Sequence, residues 1–477
     1  MSKFSQALEK HIYKSGLTEN QLAKISGFTR SYIALMKNGQ RVSPDTQKMK
    51  KLLEALSLSP YEYDEVWKAY LKARYGDQTY ELHSSIVSFI EGFGRIPKIS
   101  IKSTLRHEIP NVRTIDNRID LEYMVKAVVE QEALNKCGFI QIIMQQDFSF
   151  LFNLLPSVCR SNPNLKVDHI ICLEGKDPQN TDELSYNLKV LERLLPVVIS
   201  SPENGYEVYY YYDRMSSHFS HSTLMPYLVM TSEYIISISG NMEYAVVATD
   251  PDIHRLFNVL FRERKKMCRK LMSKISAGSN YFEYCMKHHP DSEKIYTIGS
   301  QPCFGVFPVD AMVKKYMAGK NEKLLGMFLT LLKQNRESYS SAAGVVSYFT
   351  KSGVEKLMEK GLVEELPGEL YTSIERKDRK ALLEMLITAV KNGSYEAYLL
   401  DEQKFSYPPE LIMTAYSFTV VNILYMSQNQ ENRFALEEQS LTRMIYSFLE
   451  ELQIGTYVYE KNETLAWLES VYEAFEV

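Results

Sequence analysis

The side chains here that could do chemistry are scattered, and most combinations resolve into structural roles. His218-x-x-His221 offers two imidazoles at metal-ligand spacing, but zinc needs a third ligand and none nearby is compelling, so the pair reads as polar loop residues. His288-His289 precedes Pro290 and reads as a turn, and Asp250-Pro251-Asp252 reads as a helix N-terminal cap rather than a carboxylate pair. The most suggestive cluster is Tyr209–Tyr212, followed by Asp213-Arg214. Alternation along a strand sends Tyr210 and Tyr212 to one face, where they would line a ligand pocket with Arg214 as its charged anchor. The competing reading is that tyrosine, with 33 copies, simply suits strands. Neither G-x-x-x-x-G-K-[ST] nor G-x-G-x-x-G occurs, so no phosphate-cradling loop is signalled. The expectation is no catalytic residue, no metal, no cofactor and no enzymatic activity.

At 477 residues the chain is long enough for roughly three domains, and 45% apolar with 24% charged residues is ordinary globular composition. No stretch approaches the ~18 apolar residues of a membrane helix, and the start lacks a signal-peptide core. The six cysteines are dispersed without a C-x-x-C pair and read as free cytosolic thiols. These features point to a cytoplasmic protein that does not enter a membrane. The net charge of −4 hides an asymmetry: residues 1–76 carry 13 Lys+Arg against 7 Asp+Glu, a net of +6, and the remainder a net of −10. A basic head on an acidic body implies that only the head meets a polyanion.

The elements of the head are legible from caps and periodicity. Phe4, Leu8 and Ile12 form one buried stripe, and Gly16 ends the first helix. Thr18-Glu19-Asn20-Gln21 is a capping box for a second helix running to about Ser26, and Gly27 is its left-handed C-cap. Thr29 caps a third helix closed by Asn38-Gly39. Ile33 and Met36 face its core; Arg30, Ser31, Ala34 and Lys37 lie opposite, with Leu35 at the edge. Met49, Leu52, Leu53 and Leu56 mark a fourth helix, and Ser59-Pro60 opens a fifth bearing Tyr63, Val66, Trp67 and Tyr70, which is either a dimer contact or a rigid connector. Two helices of about eight residues joined by a one-glycine turn have helix-turn-helix geometry.

The run Leu17-Thr18-x-x-Gln21-Leu22-Ala23-x-x-x-Gly27-x-Thr29-x-Ser31-x-Ile33-x-x-x-x-Asn38-Gly39-x-Arg41 resembles the phage repressor and Cro (Cro/C1-type, XRE) helix-turn-helix family. The resemblance implies a transcription regulator that binds double-stranded DNA at a palindromic operator as a homodimer. It implies base reading by Arg30 and Ser31 at the start of the third helix, with Ala34 close by and Thr29 as the cap. Arg30 is the best reader, since a guanidinium bonds guanine O6 and N7 together. Thr18 and Glu19 fall where the family contacts phosphate or a neighbouring base. Glu19 departs from the pattern, being repulsive to phosphate unless it accepts from a cytosine amine. Leu35 also departs, offering only a methyl contact to thymine. Lys37, Asn38 and Arg41 are expected on phosphates, and Lys48, Lys50 and Lys51 on a solvated face.

The body alternates. Strands are expected at Phe139–Met144, Val167–Leu173, Tyr206–Tyr212, Tyr227–Met230, Tyr234–Ser239 and Ala245–Thr249, and helices at Phe148–Cys159, Asp182–Leu195 and Asp252 to about Met272. This is an α/β (α+β) layer pattern. Leu228-Val229-Met230-Thr231 is echoed by Leu411-Ile412-Met413-Thr414, and the helix from Asp252 to Glu263 by Ser440 to Glu451. Either the body is a duplicated α/β unit or two ordinary strand–strand–helix closures look alike. Two such halves are similar, in topology only, to the phospholipase D-like fold, whose enzymatic form needs H-x-K-x-x-x-x-D in each half. None of the nine histidines here has lysine two residues later. Arg255 and Arg443, at matching places, are expected to bond within their own halves.

The expected organisation is multidomain: an all-α five-helix repressor-like DNA-binding domain at 1–75, a linker or connecting helix at 76–97, and α/β effector halves at 98–275 and 276–477. The body would sense a small-molecule or peptide effector, oligomerise, or both. The alternative is an antitoxin or phage-defence interaction protein whose head autoregulates its promoter.

Overall fold

The computed structural model describes residues 2–96, 109, 113–175, 181–213, 224–275, 279–287, 294–304, 307–317, 322–340, 344–366, 371–427 and 430–476. The chain divides into two compact units, residues 1–86 and 87–477.

The first unit holds α1 (Lys3–Ser15), α2 (Glu19–Ser26), α3 (Arg30–Lys37), α4 (Thr46–Ala55), α5 (Pro60–Tyr75) and the start of α6 (Asp77–Gly92). Each of the first five begins at a side-chain cap: Ser2, Thr18, Thr29, Asp45 and Ser59 each accept from an amide in the following turn. Phe4, Leu8, Ile12, Leu22, Ile33, Met36, Met49, Leu52 and Leu53 form one core with Val66, Trp67 and Tyr70. The apolar face of α5 is therefore part of this core, and its Tyr70 hydroxyl donates to the Ser43 carbonyl at 2.7 Å.

The second unit is built on two sheets. The first contains β1 (Thr114–Ile115), β2 (Phe139–Ile143), β3 (Lys166–Glu174), β4 (Tyr206–Asp213), β5 (Tyr227–Met230), β6 (Ile235–Ile238), β7 (Ala245–Ala248) and β8 (Arg269–Lys270) in the order β1-β7-β6-β5-β2-β3-β4-β8. Its helices are α7 (Arg118–Ala133), α8 (Ser149–Ser161), α9 (Thr181–Ser200) and α10 (Pro251–Lys266). The second contains β9 (Met272–Lys274), β10 (Ile295–Ile298), β11 (Val345–Phe349), β12 (Tyr395–Leu399), β13 (Leu411–Ser417), β14 (Val420–Ser427) and β15 (Gln430–Leu436) in the order β12-β11-β10-β13-β14-β15-β9. Its helices are α11 (Ser279–Lys287), α12 (Asp310–Met317), α13 (Glu322–Ser340), α14 (Lys351–Lys360), α15 (Arg376–Asn392), α16 (Gln439–Leu452) and α17 (Lys461–Ala474).

The two halves share one topology. In each, three parallel strands (β4-β3-β2 and β12-β11-β10) adjoin an antiparallel meander (β5-β6-β7 and β13-β14-β15), and a helix closes the unit (α10 and α16). The echoed Met230 and Met413 occupy matching positions: Met230 pairs Gln141 of β2, and Met413 pairs Ile298 of β10. The body is thus two similar α/β halves.

One expected element is corrected. The helix from Asp252 ends at Lys266, not near Met272. Residues 269–270 pair with β4 at the edge of the first sheet, and 272–274 pair with β15 at the edge of the second. Backbone bonds from Leu271 to Val208 (2.9 Å) and from Ile275 to Arg433 (2.8 Å) bracket the crossover. Long-range pairing prevails here over the locally helical pattern.

His169 is fully buried in the first half. Its Nε2 donates to the Met144 carbonyl at 3.0 Å, and its Nδ1 accepts from the Tyr206 hydroxyl at 2.6 Å. Burial holds its pKa down at about 4, below the ordinary 6.5. The unfolded chain therefore binds a proton between pH 6.5 and 4 that the folded chain refuses. Stability from this group is complete above pH 6.5 and declines by roughly 3 kcal/mol as pH falls to about 4. Denaturant titrations across that window should show a shallower decline for His169→Gln than for wild type, since His83 is lowered to about 4 as well; equal slopes would refute the assignment.

Candidate nucleic-acid interface

The helix-turn-helix is set by local chemistry. Thr18 Oγ1 accepts from the Gln21 amide at 3.3 Å, and Gln21 Oε1 accepts from the Thr18 amide at 2.8 Å. Gly27 takes φ +76°, a left-handed angle that ends α2 and turns the chain into α3. Thr29 Oγ1 accepts from the Tyr32 amide at 3.2 Å and lies 3.1 Å from the Ser31 hydroxyl. Asn38 caps the other end, followed by Gly39 at φ +74°. Ile33 and Met36 are fully buried, so α3 turns Arg30 and Ser31 to solvent, with Ala34, Leu35 and Lys37 half-buried.

Glu19 ties the surface together. Its carboxylate accepts from Lys37 Nζ at 2.8 Å and lies 3.6 Å from Arg30 Nε. The hydrogen bond from Lys37, together with the Arg30 charge, holds the Glu19 carboxyl below the ordinary carboxylate range. Lys37, expected on a phosphate, is thus already paired in the free protein. The basic rim is organised by aromatic rings that the sequence reading passed over. Phe28 and Tyr32 stack at 5.4 Å, the Arg41 guanidinium sits 5.9 Å from the Tyr32 ring, and Lys48 sits 5.9 Å from the Phe28 ring. Lys48 is exposed, as expected, and lies beside the turn. The readable signal was an aromatic pair at i, i+4 followed by basic residues. Thr18 and Asn38 are exposed beside these groups.

The body positions its candidates differently. Tyr210 is buried and stacks edge-on with Tyr212 at 5.4 Å. The Tyr212 hydroxyl donates to Glu438, which also caps α16 by accepting from Ser440 and Leu441. Burial, and then the Glu438 carboxylate, push the Tyr212 phenol well above its ordinary range. This pair joins the two halves where the sequence suggested a pocket. Arg214, His218, His221, His288 and His289 lie outside the described residues. Asp250 caps α10, accepting from Asp252 and Ile253 as expected. Arg255 bonds Asp252 on its own helix at 3.0 Å, and Arg443 is exposed. His254 donates to the Thr231 carbonyl at 2.7 Å. Among the described residues, no group of three or more His, Cys, Asp or Glu could hold a metal ion, no helix is long and apolar enough to cross a membrane, and the six cysteines form no disulfide.

Residues 12–63 match the family model HTH_3, Helix-turn-helix. The N-terminal unit is a DNA-binding helix-turn-helix of the XRE type, and the protein is a DNA-binding regulator. A search of the curated proteins gives no match. Among solved structures, the chain is similar to phosphatidylserine synthase of Haemophilus influenzae Rd KW20 (10% identity, 78% of this chain and 94% of that one, TM-score 0.24). It is similar to TrmBL2, an archaeal chromatin protein with a novel mode of DNA binding (12% identity, 57% and 94%, TM-score 0.23). It is also similar to polyphosphate kinase from Porphyromonas gingivalis (11% identity, 80% and 60%, TM-score 0.22).

Proposed function

We propose that the protein is a sequence-specific transcription regulator of the cytoplasm whose head reads one half of a palindromic operator and whose duplicated body oligomerises and responds to an effector. The observation that carries this is the exposed guanidinium of Arg30 at the start of a fully capped α3. Arg30, Ser31 and the edge formed by Ala34 and Leu35 read bases. Thr18, Thr29, Asn38 and Arg41 hold phosphates, and Lys37 joins them when DNA draws it from Glu19. A small-molecule or peptide effector acts only by binding one arrangement of the dimer more tightly than the other. The body is non-catalytic: no histidine is followed two residues later by lysine, and His169 and His254 serve as structural hydrogen-bonding groups.

The test is selection of bound sequences from random duplex DNA by the full chain. A two-fold symmetric site with affinity falling steeply in salt is expected; no enrichment of any sequence would end the proposal. Glu19 gives an independent check. Glu19→Gln removes one negative charge from the contact surface and frees both Lys37 and Arg30. Affinity should rise about 3- to 10-fold for all sequences alike, and the salt slope should steepen by about one ion. Anisotropy titrations at several salt concentrations read both; a fall in affinity would show that Glu19 itself contacts a base.

A further inference from the structure

α10 and α16 close equivalent halves, yet their outer faces meet different fates. The sequence match aligns Ile253, Leu256 and Leu260 of α10 with Leu441, Met444 and Phe448 of α16. The α16 residues are each no more than 4% exposed, whereas those of α10 are 42–56% exposed, with Val259 and Met267 also exposed beside them. The covered helix packs against α9 of the opposite half, reinforced by the Tyr212–Glu438 bond and a 3.4 Å bond from Asn187 to Ser440. α10 has its inner residues Phe257 and Phe261 on the first sheet. Its apolar stripe faces solvent.

We propose that α10 is a dimerisation helix, packed antiparallel against α10 of a second copy of this chain across a two-fold axis. Ile253, Leu256, Leu260 and Met267 fall at a and d positions of a heptad, with Glu263 in the remaining place. A two-fold near Val259 sets Leu256 against the partner subunit's Leu260 and Asp252 against the partner subunit's Lys266, each pair occurring twice. The charges run oppositely toward the two ends: the first turn carries Asp250 and Asp252, the last Arg264, Lys265 and Lys266, of which Lys265 is held by Asp168 at 2.7 Å, and the helix between carries Arg255, Arg262 and Glu263. Among the described residues, Asp252 and Lys266 make exposed bonds within the helix, to Arg255 and Glu263. A closed two-fold contact uses the whole stripe, as regulators on palindromic half-sites require. Two helices of 16 residues bury area at or below the ~1,200 Å² low end of specific interfaces, so the dimer dissociates in the micromolar range.

The proposal rests on the regulator reading for its purpose but not for its contact, and the experiment separates the two. Sedimentation velocity of the full chain from about 1 to 100 µM should show a reversible monomer–dimer equilibrium. Leu256→Glu with Leu260→Glu should weaken it at least about 100-fold, with the thermal melt unchanged because both side chains are exposed. Asp252→Lys and Lys266→Asp should each weaken it about 5- to 10-fold, and the two together should restore it, a rescue that misfolding cannot mimic. A chain monomeric throughout, a dimer indifferent to the leucine pair, or charge variants that do not rescue each other would overturn it. So would a monomeric wild type that binds phosphatidylglycerol vesicles through the same leucines, which would make α10 a membrane-surface helix. A dimer that selects no DNA sequence removes the regulator reading alone; a monomer that selects an operator removes the dimer alone.

Discussion

Arg30→Ala is expected to lower affinity for the selected operator about 30-fold or more and to flatten preference at one base pair in each half-site. A bidentate guanidinium–guanine contact discriminates by about 1–3 kcal/mol per site, and a dimer presents it twice. The loss cannot come through folding, because the side chain is 69% exposed and its ion-pair approach to Glu19 is 3.6 Å. Arg30→Lys should recover much of the affinity and little of the preference, since an ammonium supplies the charge without the planar fork. Lys37→Ala should behave differently. Its loss leaves Glu19 with only the more distant Arg30 charge beside the DNA, so all sequences should weaken together. Competition binding with a panel of single-base operator variants reads each pattern. An Arg30→Ala protein with an unchanged base profile would remove Arg30 from the readout.

Gly353→Ala is expected to remove about 3 kcal/mol or more from the body. Gly353 lies in the first turn of α14, where an added Cβ would stand 1.8 Å from the Ser300 carbonyl oxygen and 2.3 Å from its carbon. That carbonyl cannot retreat freely: it accepts from the Thr350 amide and from the Thr350 hydroxyl, each at 3.1 Å, and the same hydroxyl caps α14 by accepting from the Gly353 amide at 3.0 Å. The backbone must shift and break a shared network. For a half of this size the body transition should fall by about 6–12 °C. The head transition and the head's DNA binding should be unchanged, since residues 1–86 form a separate unit. Gly326→Ala is the control. It sits exposed within α13 with nothing within 4 Å of the added Cβ, and should stabilise by about 0.5–1 kcal/mol. Scanning calorimetry of both variants checks the pair; a Gly353→Ala body that melts as wild type would show that Ser300 yields cheaply.

The head was legible because its punctuation is local. The caps at Thr18, Thr29 and Ser59, and the left-handed glycines at 27 and 39, act on amides a few residues away, so residue types at fixed offsets determine the helices and the turn between them. The strands of the first half were legible for the same kind of reason, as apolar runs bounded by breaks. The echo between the halves was visible in β5 and β13 and in the helices that follow each meander. The Glu19 link to Lys37 was not visible, because it joins residues 18 apart in sequence through side-chain reach across the turn. The Phe28 and Tyr32 rings were passed over, although their faces hold Lys48 and Arg41.

By itself, the sequence determined a basic helix-turn-helix head and a body of alternating strands and helices, since charge, caps and periodicity are properties of neighbouring residues. Only the tertiary structure decided that residues 269–274 leave the helix to edge two different sheets, that Tyr212 meets Glu438 across 226 positions, and that α16 is covered while its counterpart α10 is bare. The two helices carry nearly the same apolar pattern. Which one is buried depends on what the rest of the chain brings against it, and that is a matter of long-range packing that no local pattern encodes.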